Sequence, residues 1–111
     1  MVEDISNAIM RKLTQEILHI MPSANLAFTP CSKRYYAHCT IQYQQLKFML
    51  VLYSAKITLY DISHLRPVVN DTPLHDPLSL DAEFWVGQIK RRLTSRTTWR
   101  NYIEQPYHEQ E

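Results

Sequence analysis

Asp61, His64, Asp71, His75 and Asp76 are the side chains of this sequence closest to a proton-transfer or cation-binding set. Asp61 and His64 could share a metal ion, since carboxylate and imidazole are both ordinary ligands. His75 could act as a general base oriented by Asp76 or Asp71. Their spacing matches no catalytic or metal-binding motif. Aspartates in such a stretch more often close Asx-turns or cap helices and loops. An enzyme built on this segment therefore ranks third among the functional readings.

The cysteines offer less. Cys31 and Cys39 lack C-x-x-C spacing, and two thiols alone make a poor metal site. In a reducing compartment both are expected to be free, with a bridge between them as the alternative. Cys31, beside Lys33 and Arg34, has the more reactive setting. Cys39 falls on the apolar side of a strand, where a thiol behaves as an inert small hydrophobe.

Basic residues gather late in the chain. Lys90, Arg91, Arg92, Arg96 and Arg100 are five of the twelve. With Trp99 and Tyr102 nearby, and Lys33 and Arg34 ahead of the first long strand, they could contact phosphates and stack on bases. Cations also suit the C-terminal half of any helix, whose carbonyls carry partial negative charge. The whole chain has a net charge of only +1. Binding to nucleic acid would thus rest on a local patch.

Glycine usage excludes more than any motif suggests. The chain has one glycine, Gly87. Loops that cradle phosphates need several, because the backbone must approach the ligand closely. Walker, Rossmann and kinase-type loops are excluded, as is the G-x-S-x-G nucleophile elbow. No H-E-x-x-H or EF-hand pattern occurs. No cofactor and no metal are expected.

The elements that must position these residues follow from periodicity. The chain has 111 residues, 45% apolar and 21% charged, which suits one globular domain over residues 1–105 and a loose tail at 106–111. The opening MVEDISNAIMRKL lacks the basic start and apolar core of a signal peptide. The longest apolar run, Phe48–Tyr53, is too short to span a bilayer. A cytoplasmic protein without a membrane segment is expected. Val2, Ile5, Ile9, Leu13, Ile17 and Ile20 recur at helical spacing and predict a helix over 4–20, widened by Met10 and Met21, capped by Asp4 or Ser6 and stopped by Pro22. Asn25–Thr29 suits a short edge strand.

Residues 34–62 carry the strongest pattern. With two-residue turns at Gln44–Gln45 and Ser54–Ala55, Ile41 falls opposite Phe48, Cys39 opposite Leu50 and Ala37 opposite Leu52. Leu52 then meets Ile57, and Leu50 meets Leu59. Tyr35 and Tyr43 extend the same apolar face. A one-residue slip would invert every side chain, so agreement across two turns supports the register. Neither turn carries the glycine that tight hairpins prefer. Residues 63–80, with three prolines and no period, read as an irregular connection. A second helix over 81–94, capped by Ser79 or Asp81, would bury Phe84 or Trp85, Val86, Ile89 and Leu93. Continued unbroken, it would bring Arg96 and Arg100 to the core, at a prohibitive cost if unpaired. That predicts a break near 94–98 and a short third helix over 98–104. The fold class is α+β: a three- to four-stranded antiparallel meander, an N-terminal helix and one or two C-terminal helices.

The same register fixes a second sheet face. Tyr36, His38, Thr40, Met49, Val51, Tyr53, Lys56, Thr58 and Tyr60 lie on it, with Tyr36 beside Tyr53, His38 beside Val51 and Met49 beside Tyr60. A solvated face would hold more charge and fewer aromatics. Tyrosine and methionine with few carboxylates is a contact composition, although tyrosine pairs also stabilise strands by themselves. The functional expectation is a non-catalytic adaptor, regulator or assembly factor. It binds another protein, or a second copy of itself, through Tyr36, His38, Met49, Val51, Tyr53 and Tyr60. The runner-up is a nucleic-acid binder using Lys90, Arg91, Arg92, Arg96 and Arg100.

Overall fold

Asp4 is itself extended and turns its carboxylate onto the Ser6 N–H at 2.8 Å, which starts the first helix. The computed structural model describes residues 4–74 and 80–104, with side chains through 94. Its order is α1 (Ile5–Ile20), β1 (Asn25–Phe28), β2 (Tyr36–Tyr43), β3 (Leu46–Tyr53), β4 (Lys56–Asp61), β5 (Arg66–Pro73) and α2 (Ala82–Glu104). The strands form one antiparallel sheet in sequence order. The α+β class and the N-terminal helix agree with the sequence expectation. The sheet has five strands rather than three or four, and one described helix closes the chain.

The register of the central meander is the expected one. Ala37, Cys39 and Ile41 stand opposite Leu52, Leu50 and Phe48, while Leu50 and Leu52 meet Leu59 and Ile57. All of these are buried, together with Met10, Leu13 and Ile17 of α1 and Trp85, Val86 and Ile89 of α2. Each buried Leu, Ile, Val, Phe or Met among them contributes about 1.5–3 kcal/mol of transfer free energy. Both helices therefore cover a single sheet face. Tyr35 does not join that face. It precedes β2 in a left-handed conformation with φ of 58° and is 60% exposed.

In α1 the buried line is turned relative to the expected stripe. Ser6, Asn7, Met10, Leu13, Thr14 and Ile17 are buried, whereas Ile5 and Ile20 are exposed. The polar members are inside because they are bonded. Asn7 donates its Nδ2 to the Cys31 carbonyl at 2.8 Å and accepts the Cys31 N–H at 3.1 Å. Thr14 donates to the Met10 carbonyl at 2.7 Å.

Residues 66–73 form an edge strand where an irregular connection was expected. Pro67 and Pro73 are tolerated there because an edge strand can turn a missing N–H outward. Two register shifts, between Ile57 and Leu59 and between Leu59 and Tyr60, remove the period-two pattern that would have revealed it. Val68 and Val69 both pack on the core as a result.

The expected break near 94–98 is absent, since α2 is a single helix. No proline or glycine lies between Gly87 and Pro106 to interrupt it. A guanidinium on the core side is costly only when unpaired, and Arg92 meets the Asp61 carboxylate. Residues 106–111, proposed as a tail, lie outside the described residues, as does Ser79. Asp81 directly precedes α2, with its carbonyl accepting the Trp85 N–H at 3.2 Å.

Candidate functional site

The sheet face turned away from the helices carries the Tyr-rich set. Pairing across β2, β3 and β4 makes three rows: Tyr36, Tyr53 and Lys56; His38, Val51 and Thr58; and Thr40, Met49 and Tyr60. The rings of Tyr36 and Tyr53 meet edge-on at 6.5 Å, and those of Tyr36 and His38 are tilted at 5.6 Å. Lys33 Nζ stands 5.6 Å from the centre of the Tyr36 ring, close enough for a cation–π contact. Tyr53 is exposed, and Tyr36, His38, Met49, Val51 and Tyr60 are half-buried. Among the described residues no helix or strand packs across this face. At the β1 end of the sheet a hollow of about 350 Å³ is lined from both faces, by Ala27, Thr40 and Gln42 and by Leu26, Ile41 and Phe48 among others.

Polar satisfaction on this face is uneven. Thr58 is buried but bonded: its hydroxyl accepts the Asp71 N–H at 3.0 Å and donates to Asp71 Oδ1 at 3.3 Å. His38 Nδ1 is buried with no hydrogen-bond partner. Such a nitrogen costs roughly 1–3 kcal/mol relative to a paired one, and native proteins retain few of them.

The Asp/His segment forms a different kind of site. Asp61, fully buried at the end of β4, accepts from Ser63 N–H through Oδ1 at 3.1 Å, which makes the Asx-turn. Its Oδ2 lies 3.0 Å from His64 Nδ1 and 3.1 Å from Arg92 Nε. Burial pushes the Asp61 carboxyl up, but hydrogen bonds and charge from His64 and Arg92 outweigh it and hold the group below its ordinary value. The guanidinium takes the same oxygen a shared metal would need. Among the described residues no group of three or more His, Cys, Asp or Glu side chains converges as a metal site. Asp71 serves Thr58, and His75 and Asp76 lie outside the described residues. The arrangement ties the β4–β5 turn to α2.

Arg92 is therefore engaged, while Lys90 and Arg91 are exposed on α2. The Arg96 and Arg100 side chains lie outside the described ones. Cys31 and Cys39 are both free thiols, and burial pushes the Cys39 thiol up. Sequence reasoning missed the Asp61–Arg92 pair and the Asn7 clamp. Neither has a local signal, since the partners are 31 and 24 residues apart.

Within this architecture, an antiparallel five-stranded sheet helix-covered on one side, no protein-family model, curated protein or solved structure matches the chain. No described helix is long and apolar enough to cross a membrane.

Proposed function

We propose that the chain is a non-catalytic interaction protein of the cytoplasm, an adaptor, regulator or assembly factor. Its open sheet face docks another protein or a second copy of itself. The carrying observation is that Tyr36, His38, Met49, Val51, Tyr53 and Tyr60 share one face that neither helix covers. Tyrosine and methionine are residues that contribute large contact area at interface centres.

The test compares the purified chain with its Tyr53→Glu and Met49→Lys variants. Light scattering reports self-association, and affinity capture from the host lysate reports other partners. Binding that is lost in both variants, with melting temperature retained, is the expected result. A monomeric protein whose variants keep every partner ends the proposal.

A further inference from the structure

The charge on the open face selects among its possible occupants, if that face is the contact surface just proposed. Lys56 pairs with Tyr53, Lys47 lies beyond Met49 on the same side of β3, and Lys33 stands over Tyr36. The one carboxylate placed against this face among the described residues is Asp71, already bonded to Thr58. Lys47 and Tyr53 are six strand positions apart, so the cations bracket a strip roughly 20 Å long. Its middle is made of Met49 and Val51, flanked by tyrosines.

A second copy suits this strip poorly. Two-fold pairing sets the same patch against itself, so lysines would confront lysines with no free carboxylate among the described residues of the face to meet them. Like-charge juxtaposition is a strong bar to association. We infer that the face takes a segment of a different protein, apolar in the middle and acidic at both ends, its carboxylates reaching Lys47 at one end and Lys33 and Lys56 at the other. An extended segment of about six residues spans the strip. Single-stranded nucleic acid is the competing anionic occupant. The aliphatic centre favours the peptide, because stacking platforms present rings under successive bases.

The full-length chain is used to select from a random peptide library displayed on phage, and the selected peptides are titrated by fluorescence anisotropy. Enrichment of Asp and Glu around apolar residues is expected. Affinity should fall about tenfold or more in Tyr53→Ser and in the Lys47→Glu/Lys56→Glu double variant, and should weaken with added salt. Melting curves establish that the variants are folded. Peptides that are neutral or basic, lost in Tyr53→Ser but indifferent to the lysine reversals, overturn the acidic partner and leave the contact face standing. Peptides indifferent to Tyr53→Ser overturn both. Tyr53-dependent binding of oligothymidylate without acidic peptides assigns the face to nucleic acid, and a Tyr53-dependent dimer assigns it to self-association. Either result overturns the inference.

Discussion

Arg92 Nε stands 3.1 Å from the Asp61 carboxylate, and this charged bond joins the end of β4 to α2. Asp61 is fully buried and Arg92 is 21% exposed. Removing the carboxylate leaves a half-buried guanidinium without its partner, whereas removing the arginine leaves a buried carboxylate that keeps His64 and Ser63. Asp61→Ala should cost about 3 kcal/mol, the low end for breaking a buried pair because Arg92 keeps some water. Arg92→Met should cost less. Urea unfolding of both single variants and the double variant would give a coupling energy of about 1–2 kcal/mol. Additivity would show that the pair does not act as one.

Acid should weaken the same tie. The folded-state Asp61 pKa is depressed, so its stabilisation is fully present above the unfolded carboxyl value of 3.8 and is lost as pH falls through the folded value. The wild-type urea midpoint should drop on acidification below about pH 4, and Asp61→Asn should flatten that drop. Asp4, held down mainly by the Ser6 N–H, acts in the same direction. Asp4→Asn preserves the cap and separates the two contributions. An unchanged slope in Asp61→Asn would assign acid sensitivity elsewhere.

Asn7 holds the Cys31 backbone through both the Nδ2 and the Oδ1 of its amide while only 3% exposed. Asn7→Ala leaves the half-buried Cys31 N–H and carbonyl without their partner, which should cost about 1–2 kcal/mol in chemical denaturation. Asn7→Asp keeps the acceptor and loses the donor, so it separates the two bonds. A wild-type midpoint in Asn7→Ala would show that water replaces the clamp.

The central meander was legible because two features agreed: alternation within each segment, and turn positions that kept one face apolar through both reversals. What escaped the sequence did so for identifiable reasons. Period-two reading fails at β5 because two register shifts against β4 break the period and its prolines imitate a loop. Ile5 scores as core by spacing alone, yet the hydrogen-bonded Asn7 and Thr14 turn α1 so that polar groups occupy the buried line. Arg92 sits within a basic run that suggests a surface patch, and only its distant carboxylate reveals otherwise. The composition of the open face was legible, since it follows from the same register as the core.

The near-absence of glycine makes its own prediction. Ser54 and Ala55 form the β3–β4 turn with φ of 49° and 65°, a doubly left-handed pair that Asn-Gly accommodates best. Replacing them as Ser54→Asn/Ala55→Gly should raise stability by about 1 kcal/mol. The converse holds in α2, where the exposed Gly87 has nothing within 4 Å of an added Cβ. Gly87→Ala should gain about 1 kcal/mol from helix propensity. Thermal melts of the two variants and their combination should add, because the sites are distant. A loss in either would indicate a contact at that position.

His38 separates stability from function most sharply. Its buried Nδ1 lacks a partner in the free chain, and it faces Val51 across the β2–β3 ladder. Valine at that position suits a strand and removes the orphaned nitrogen, so His38→Val should stabilise the free chain by about 1 kcal/mol. If the open face is a docking surface, the same change should weaken the complex, because the imidazole available to a partner is gone. A residue kept only for folding would show no such opposition. The melting temperature and the affinity for a face-dependent peptide, measured on one preparation, should therefore move in opposite directions. A variant that gains stability and binds as tightly as wild type would remove His38 from the contact, and one that loses stability would show that the ring's packing outweighs its unpaired nitrogen.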